Sequence, residues 1–557
     1  MVRAKRLKIA VIVGLLVVIA GGVGAFWLRA GRGTTPTAAG PYPRFVDETT
    51  VSGLVHTYDG DFDFAVGGGV ATFDCNDDGR PDLYIAGGQR PAEVFVNESP
   101  VGGSLRFSVR HDPVTDLRSV TGAYPIDIDG DGRVDLVVLR NGGNVALRGL
   151  GDCRFEDAGA AWGLQAGSHH TEAFSAMWEP GATWPTIAFG NYVDPALEDP
   201  SVWCEPNELV RPQPGARGFG PPLPLVPSWC TLSLLFSDWS GTGRMDLRVS
   251  NDSHYYRAID GEEQLWRIAP GEAPRLYGPD DGWVRVQVEG MGIASYDVTG
   301  DGLPDVYLTS QGSSRLQTLT AGPSQPAYRD IGAKRGVNAD LPFTGADRTL
   351  PSTAWHPEFE DVNNDGFIDL FVSKGNVTSQ PEYAMQDPSN LLFGQPDGTF
   401  LEGADRAGIV EFDRGRGAAL VDFNLDGRLD LVEVSYGAPV RLWRNEGPAC
   451  ANPCVDVVDH WLAVRLTEPG PNVDAIGAQI EVRVGDLTYR REVTIGGGHA
   501  GGQLGWIHFG LGPSSEAQIR VRWPDGQVGP WQHVDADGFE IVDHATGRID
   551  RWTPVTP

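Results

Sequence analysis

A nine-residue acidic pattern recurs along the chain and constrains its fold more than any other feature. The pattern is Asp-x-(Asp/Asn)-x-Asp-Gly-x-x-Asp, with a threonine at the third position of one copy. The copies are DCNDDGRPD (74–82), DIDGDGRVD (127–135), DVTGDGLPD (297–305), DVNNDGFID (361–369) and DFNLDGRLD (422–430). A run rich in β-branched and aromatic residues follows each copy, and such runs form strands. The pattern therefore predicts loops that each lead into a strand.

The spacing of the copies predicts the architecture. A sixth, weaker copy, DWSGTGRMD (238–246), keeps only the two end aspartates, and the six copies start 53, 111, 59, 64 and 61 residues apart. The long interval indicates one repeat without the motif, with strand-like runs on both sides of a loop within residues 174–194. Because 73 Gly and 41 Pro also indicate many turns, we predict an all-β chain with a seven-bladed β-propeller of four-stranded blades.

The chemistry of the pattern predicts a cation site. Ca²⁺ takes six to eight oxygen ligands from carboxylates, amides and backbone carbonyls. Positions one, three, five and nine supply side-chain oxygens, and the glycine at position six permits the tight turn. The alternative is a plain Asx turn without metal, which five matching copies make a poorer explanation.

We predict about five Ca²⁺ sites, and the expected side-chain ligands share these four positions of the repeat. They are Asp74, Asn76, Asp78, Asp82, Asp127, Asp129, Asp131, Asp135, Asp297, Thr299, Asp301, Asp305, Asp361, Asn363, Asp365, Asp369, Asp422, Asn424, Asp426 and Asp430. Asp238 and Asp246 of the sixth copy are weak candidates because Ser240 and Thr242 replace the central acids.

The amino-terminal segment predicts export. Residues 1–8 carry four basic side chains, and residues 9–28 form an uncharged, largely apolar run long enough to cross a bilayer. A membrane anchor with the body outside and a cleavable signal peptide both fit. We predict a signal segment over 1–30, a linker over 31–44, the propeller over 45–447, a second linker over 448–457 and a β-sandwich over 458–547.

Export favours disulfides among the six cysteines, although six cysteines allow 15 pairings. Nearness in sequence favours Cys204–Cys230 and Cys450–Cys454, which leaves Cys75–Cys153. A zinc site at the Cys450/Cys454 pair is a weaker alternative, since no second pair completes it.

Small residues precede several acidic copies, as in GGGVATFD (67–74), GMGIASYD (290–297) and GRGAALVD (415–422). These segments resemble the FG-GAP/VCBS repeats of integrin-α-type propellers. With HWLAVRL (460–466), DAIGAQIEVRVG (474–485), REVTIGGGHAGG (491–502), HFGLG (508–512) and VRWPDGQ (521–527), the chain resembles the cartilage acidic protein 1 family. That resemblance implies a calcium-binding propeller followed by an ASPIC/UnbV domain. The chain departs from the family pattern at 496–512, where glycines and His499 replace a Ser-rich stretch.

The net charge of −30 excludes a nucleic-acid partner, since phosphate contacts require clustered basic residues. No hydrolase, metalloprotease, P-loop or dinucleotide motif is present. We therefore predict a binding or adhesion protein of the cell surface with a protein or glycan ligand and no catalysis. The N-terminal segment, if uncleaved, would attach it to the membrane. The alternatives are an enzyme or enzyme subunit with its site in the propeller channel, and a carbohydrate-binding propeller.

Other features point less clearly to function. We expect structural roles for His169, His170 and His356, and treat His499 as a candidate for an exposed binding position among glycines. Residues 195–230, which include PPLPLVP, are expected to be a surface insertion from a blade edge.

Overall fold

The computed structural model describes residues 41–164, 167–194, 203–215, 217–252, 261–448 and 459–554. The predicted signal segment, Cys450 and Cys454 lie outside the described residues. Within the described ranges the chain forms nine four-stranded sheets. Seven of them are the blades of the predicted propeller, and two form a carboxy-terminal β-sandwich.

Six blades are each built from four consecutive antiparallel strands. Blades 1 and 2 contain β2 (Val70–Phe73), β3 (Asp82–Ile85), β4 (Glu93–Asn97), β5 (Phe107–Arg110), β6 (Val120–Ile126), β7 (Asp135–Arg140), β8 (Val145–Gly151) and β9 (Arg154–Asp157). Blades 3 and 4 contain β10 (Thr171–Met177), β11 (Thr186–Asn191), β12 (Asn207–Val210), β13 (Leu223–Leu225), β14 (Thr231–Ser237), β15 (Asp246–Asn251), β16 (Gln264–Arg267) and β17 (Arg275–Leu276). Blades 5 and 6 contain β18 (Gly290–Tyr296), β19 (Asp305–Ser310), β20 (Arg315–Leu319), β21 (Tyr328–Asp330), β22 (Ala354–Glu360), β23 (Asp369–Lys374), β24 (Asn390–Gly394) and β25 (Phe400–Glu402).

Blade 7 closes the ring with strands from both ends of the propeller. It contains β26 (Gly415–Val421), β27 (Asp430–Ser435), β28 (Arg441–Pro448) and, on its outer edge, β1 (Pro43–Asp47). β1 pairs antiparallel with β28, with Phe45 opposite Asn445. The closing strand thus begins two residues before the predicted propeller start at 45, because the start of the chain supplies the outermost strand of the last blade.

Three single-turn helices follow the outer strands of blades 2, 5 and 6. They are α1 (Gly159–Trp162), α2 (Gly332–Arg335) and α3 (Ala404–Ala407). Each ends at a glycine in the left-handed region, the common helix stop. In the described part of the chain, no helix has both the length and the apolar character that a membrane crossing requires.

Blade 3 corrects one expectation. Residues 195–230 are more than a surface insertion, since β12 and β13 within them are the two outer strands of this blade. β13 reads Leu-Pro-Leu and lies on the sheet edge, where a proline costs no ladder hydrogen bond. The proline-rich composition did not predict this strand, which forms by pairing with the neighbouring β12.

Two disulfides confirm the pairings predicted within the described residues. Cys75–Cys153 joins blade 1 to blade 2, and Cys204–Cys230 joins blade 3 to the start of blade 4. Both bonds cross between adjacent blades, so they hold the ring together at two seams.

The sandwich contains eight strands in two sheets. One sheet has the order β32-β29-β35-β36 and the other the order β31-β30-β33-β34. The strands are β29 (His460–Thr467), β30 (Gln479–Val484), β31 (Leu487–Glu492), β32 (Ile507–Gly512), β33 (Glu516–Arg522), β34 (Gln532–Asp535), β35 (Gly538–Asp543) and β36 (Arg548–Trp552). β36 continues past the predicted domain end at 547.

The sandwich and the propeller share a hydrophobic core. Leu462, Val464 and Ile480 of the sandwich belong to the same buried cluster as Tyr124 of blade 2 and Phe174 of blade 3. The propeller face under the sandwich is therefore an interior surface of the molecule.

Candidate metal centres beneath the carboxy-terminal domain

The acidic repeats form the turns between the first two strands of six blades. We name them by blade: loop 1 (74–82), loop 2 (127–135), loop 4 (238–246), loop 5 (297–305), loop 6 (361–369) and loop 7 (422–430). In every one the glycine N–H at position six donates to Oδ2 of the first aspartate at 2.5–2.9 Å. These glycines have φ values from 81° to 88°, a region that favours glycine over residues with a side chain.

The ninth aspartate fastens each loop to its blade. Asp135 accepts the Ile128 N–H at one carboxylate oxygen and the Gly149 N–H of β8 at the other, both at 2.8 Å. Asp82, Asp369 and Asp430 make the same two kinds of contact, from position two of the loop and from the third strand. Each oxygen keeps a second lone pair, so this role is compatible with metal ligation.

Several predicted ligand oxygens are buried without a hydrogen-bond partner. They are Oδ1 of Asp129 in loop 2, Oδ1 of Asp297 in loop 5 and Oδ1 of Asn424 in loop 7. Buried polar atoms are normally satisfied. In loop 2, carboxylate oxygens of Asp127, Asp129 and Asp135 also lie within 4.8 Å of one another. An all-oxygen set of this kind fits a hard cation such as Ca²⁺.

Without a cation, burial makes the ionised form of these carboxylates unfavourable. Burial, together with neighbouring aspartates, raises the pKa of Asp127 to about 7 and the pKa values of Asp135 and Asp422 to about 8. Burial also raises the pKa of Asp305 to about 6. A bound divalent ion would favour the ionised form of each group.

The residues at the third and fifth positions of the loops make hydrogen bonds within the turns. Asn363 accepts the Asp365 N–H at Oδ1 and donates to Asp365 Oδ2 at 2.9 Å. Thr299 directs its N–H to Asp305 at 2.8 Å. The remaining predicted ligands at these positions keep the same loop geometry; they are Asn76, Asp78, Asp131, Asp301 and Asp426.

Loop 4 keeps the turn and replaces the charges. The Ser240 hydroxyl donates to Asp238 Oδ1 at 3.1 Å and also contacts Thr242 Oγ1. Asp246 accepts bonds from Arg244, and its Oδ2 accepts the Trp239 Nε1–H and the Tyr277 hydroxyl at 2.8 Å. Asp238 and Asp246 are therefore satisfied by protein donors.

Blade 3 has no acidic loop, and Glu179 and Arg211 form an ion pair in the corresponding region. Glu179 accepts the Thr186 hydroxyl at 2.9 Å and the Arg211 Nε–H at 2.5 Å. The guanidinium balances the single carboxylate, as Arg244 does in loop 4.

The sandwich lies on the face that carries these loops. Trp506 donates to the Gly79 carbonyl of loop 1 at 3.2 Å, and Glu492 accepts the Asp238 N–H of loop 4 at 2.7 Å. The sandwich contacts the other four loops as well. Pro471 packs on Gly130 of loop 2 and Trp461 on Gly427 of loop 7, Arg490 pairs with Asp297 of loop 5, and His508 bonds to Asn364 of loop 6. All six loops thus touch the carboxy-terminal domain.

A glycine-rich segment of the sandwich, residues 495–503, enters the central channel of the propeller. We call it the inserted loop. The Gly497 and Gly498 N–H groups donate to carbonyls of β14 and β18 at 2.7 Å, and the Gly502 N–H donates to β6 at 3.2 Å. A Cβ on Gly501 would lie 2.1 Å from the Val70 carbonyl oxygen. The glycines therefore allow backbone to pack against backbone.

His499 is at the centre of the channel and fully buried. Its Nε2 lies 2.5 Å from the Val66 carbonyl oxygen and its ring centroid 5.1 Å from that of Trp355. Burial lowers the pKa of His499 to about 3. The expectation of an exposed binding position is therefore wrong, because the propeller encloses the segment.

The other histidines have partners inside the structure. His170 and Glu172 are both buried and pair at 2.7 Å, and His169 pairs with Glu205 at 2.7 Å. His356 accepts the His499 N–H at 3.1 Å, which connects blade 6 to the inserted loop.

Sequence reasoning missed that one domain covers the metal loops of the other. The glycine run at 496–502 was the available signal, since closely spaced glycines indicate close backbone approach. Nothing in the sequence indicated which backbone they would approach.

The chain resembles known families and proteins in both of its domains. It matches the FG-GAP-like repeat at residues 74–138 and 361–433, and the ASPIC and UnbV family at 468–548. Cartilage acidic protein 1 of Homo sapiens is 42% identical over 165 residues, which are 28% of this chain and 22% of that protein; the Mus musculus protein is 25% identical with the same coverage.

Among solved structures, a lectin of Agrocybe aegerita described as recognising terminal N-acetylglucosamine aligns with a TM-score of 0.38 and 16% identity, over 68% of this chain and 91% of that one. Cartilage acidic protein 1 of Xenopus tropicalis is 40% identical over 522 residues, covering 86% of this chain and 74% of that protein. On this identity over most of both chains, and on the two domain matches, the chain belongs to the cartilage acidic protein 1 family.

Proposed function

We propose that this protein is an exported, calcium-binding β-propeller that acts in binding or adhesion at the cell surface. Five loops hold Ca²⁺, and the ions stabilise the face on which the sandwich docks. The observation that carries this proposal is the set of buried ligand oxygens without partners at Asp129, Asp297 and Asn424. The two disulfides and the family relationship support an extracellular location.

Each of the five loops would supply a set of ligands for its own ion. In loop 2 they are the side chains of Asp127, Asp129, Asp131 and Asp135, with a backbone carbonyl near position seven. Bound Ca²⁺ relieves the repulsion among these carboxylates and cross-links the turn. The free energy of metal binding therefore adds to the free energy of unfolding.

The filled channel supports a binding role over catalysis. A cavity of about 200 Å³ lies between the domains, and several of its polar side chains contact one another. Glu360 pairs with Arg491, and Glu358 accepts from Gln503 at 2.6 Å. These groups hold the domains together, which leaves the outer blade edges and the opposite face for a ligand.

Metal binding is tested by counting the ions. The purified chain, dialysed against Ca²⁺ and then against metal-free buffer, should retain about five Ca²⁺ by elemental analysis, in agreement with titration calorimetry. A chain that binds no Ca²⁺ at micromolar to millimolar concentrations contradicts the proposal.

Ligand binding is tested with intact cells. The labelled protein should adhere to the surface of its own cells with Ca²⁺ and detach in EDTA. Pretreating the cells with protease or with glycosidases distinguishes a protein ligand from a glycan ligand. The adhesion role is contradicted if the protein does not adhere to the cells. It is also contradicted if adhesion changes neither with the two enzyme treatments nor with calcium. Membrane fractionation of the expressed chain tests whether residues 9–28 anchor it.

A further inference from the structure

Loop 6 is covered more completely than the other acidic loops. Asp361, Asn363, Asp365 and Asp369 are all buried, whereas Asp301 at the fifth position of loop 5 is exposed. The difference comes from the sandwich, because β32 lies directly on loop 6.

The contact between β32 and loop 6 is close and polar. A Cβ on Gly510 would lie 1.9 Å from Asp361 Oδ2, so only glycine fits there. The Gly512 N–H donates to the Asn364 carbonyl at 2.9 Å, and His508 Nε2 lies 2.6 Å from Asn364 Oδ1. An ion held by Asp361 would have β32 above it.

The first and ninth aspartates of loop 6, Asp361 and Asp369, are both buried. Within the described part of the chain, no Arg or Lys pairs with Asp361 or Asp369. Their negative charge requires a counter-ion of another kind.

The sandwich adds a further carboxylate at this point. Asp459 immediately precedes β29, and its Oδ2 is inaccessible to solvent and has no hydrogen-bond partner. The next residue, His460, pairs with Gly512 of β32, and the Gly512 N–H donates to loop 6. A like charge brought to a buried acidic loop is unfavourable unless a cation lies between them.

We propose that the cation of loop 6 is shared between the two domains, with Asp459 of the sandwich as an additional ligand. This inference rests on the proposed calcium binding by the loops. Loop 6 supplies four side chains and a backbone carbonyl near Phe367, and the Asp459 carboxylate raises the set to the six oxygens that Ca²⁺ requires. The ion thereby joins the propeller to the sandwich.

The geometry has a kinetic consequence. An ion beneath β32 leaves only when the sandwich lifts from blade 6, whereas ions in the more exposed loops leave without that movement. One Ca²⁺ should therefore exchange much more slowly than the others.

The test uses the full chain loaded with radioactive Ca²⁺ and diluted into excess unlabelled Ca²⁺. The wild type should release one ion in a separate slow phase. Asp361→Asn should remove that ion, and Asp459→Asn should release it about ten-fold faster or more, because Ca²⁺ affinity follows the charge of the ligands. The double variant should match Asp361→Asn, since both substitutions act on one site.

Asp535→Asn is the control, since it removes the same charge from an exposed position of the sandwich. Circular dichroism confirms folding, and Asp459→Ser serves as a second variant if the amide disturbs it. A wild type that binds no Ca²⁺ overturns both the proposed function and this inference. A wild type that binds several ions, with release unchanged in both Asp459 variants, overturns the shared ion alone.

Discussion

Loops 4 and 6 occupy the same place in their blades and balance their charge in opposite ways. Both place a glycine N–H on the first aspartate, at 2.5 Å to Asp238 and 2.8 Å to Asp361. Loop 4 then uses hydroxyls and Arg244 to satisfy two carboxylates. Loop 6 buries three carboxylates and receives a fourth from the sandwich. The turn itself therefore forms without the central acids, and the charge of a loop sets how strongly it would attract a cation.

Chelation is expected to have the largest effect. Exhaustive EDTA treatment should lower the melting temperature markedly, since each site filled at 100 times its Kd contributes about 2.7 kcal/mol. Differential scanning calorimetry with and without restored Ca²⁺ measures the loss and its recovery. An unchanged melting curve would show that all six loops resemble loop 4.

Single substitutions should separate the two loops. Asp361→Asn should remove one bound Ca²⁺ and destabilise the calcium-loaded protein by about 2–3 kcal/mol, measured by denaturant unfolding in Ca²⁺ and in EDTA. Asp238→Asn should leave the ion count unchanged and cost the same in both buffers. An equal dependence on calcium in the two variants would remove the distinction between the loops.

Acid should act on both loops through their common neighbour, the inserted loop. It donates to the Leu234 carbonyl of blade 4 through Gly497 and to His356 of blade 6 through His499. His499 titrates near 6.5 when unfolded, and burial lowers its folded pKa to about 3. Its contribution to stability is therefore complete above pH 6.5 and declines as the pH falls towards 3.

The expected loss is about 2 kcal/mol between pH 6.5 and pH 5, measured by unfolding at the two pH values. His499→Gln should abolish this part of the pH dependence, whereas His533→Gln, at an exposed position, should retain it. The loss of stability should be the same in the Asp361 and Asp238 variants, because His499 lies in the channel and belongs to neither loop. A pH dependence that survives His499→Gln assigns the effect to other groups.

Converting loop 4 is expected to give the smallest change. Ser240→Asp with Thr242→Asp restores the acidic positions of the repeat, and the chain should then bind one additional Ca²⁺ by elemental analysis. The gain in stability should be small, because Arg244 still holds Asp246. A parallel Ser240→Asn and Thr242→Asn variant keeps the side-chain size without the charge and should bind no additional ion.

The sequence predicted much of this protein because its information is local and repeated. Each acidic copy fixes a turn through contacts within nine residues, as between Gly366 and Asp361, and the following apolar run forms a strand. The carboxy-terminal β-sandwich was also evident from local patterns. The outer strands of blade 3 were not, since a Leu-Pro-Leu segment forms a strand only when β12 lies beside it.

The sequence by itself determined the number of blades, the positions of the acidic loops and the excess negative charge. Only the tertiary structure decided that the sandwich covers the acidic loops, that His499 is enclosed in the channel and that β32 lies against loop 6. These contacts join residues more than 90 positions apart in sequence, such as Gly79 and Trp506. They depend on how two finished domains dock, and short-range patterns carry no record of that surface.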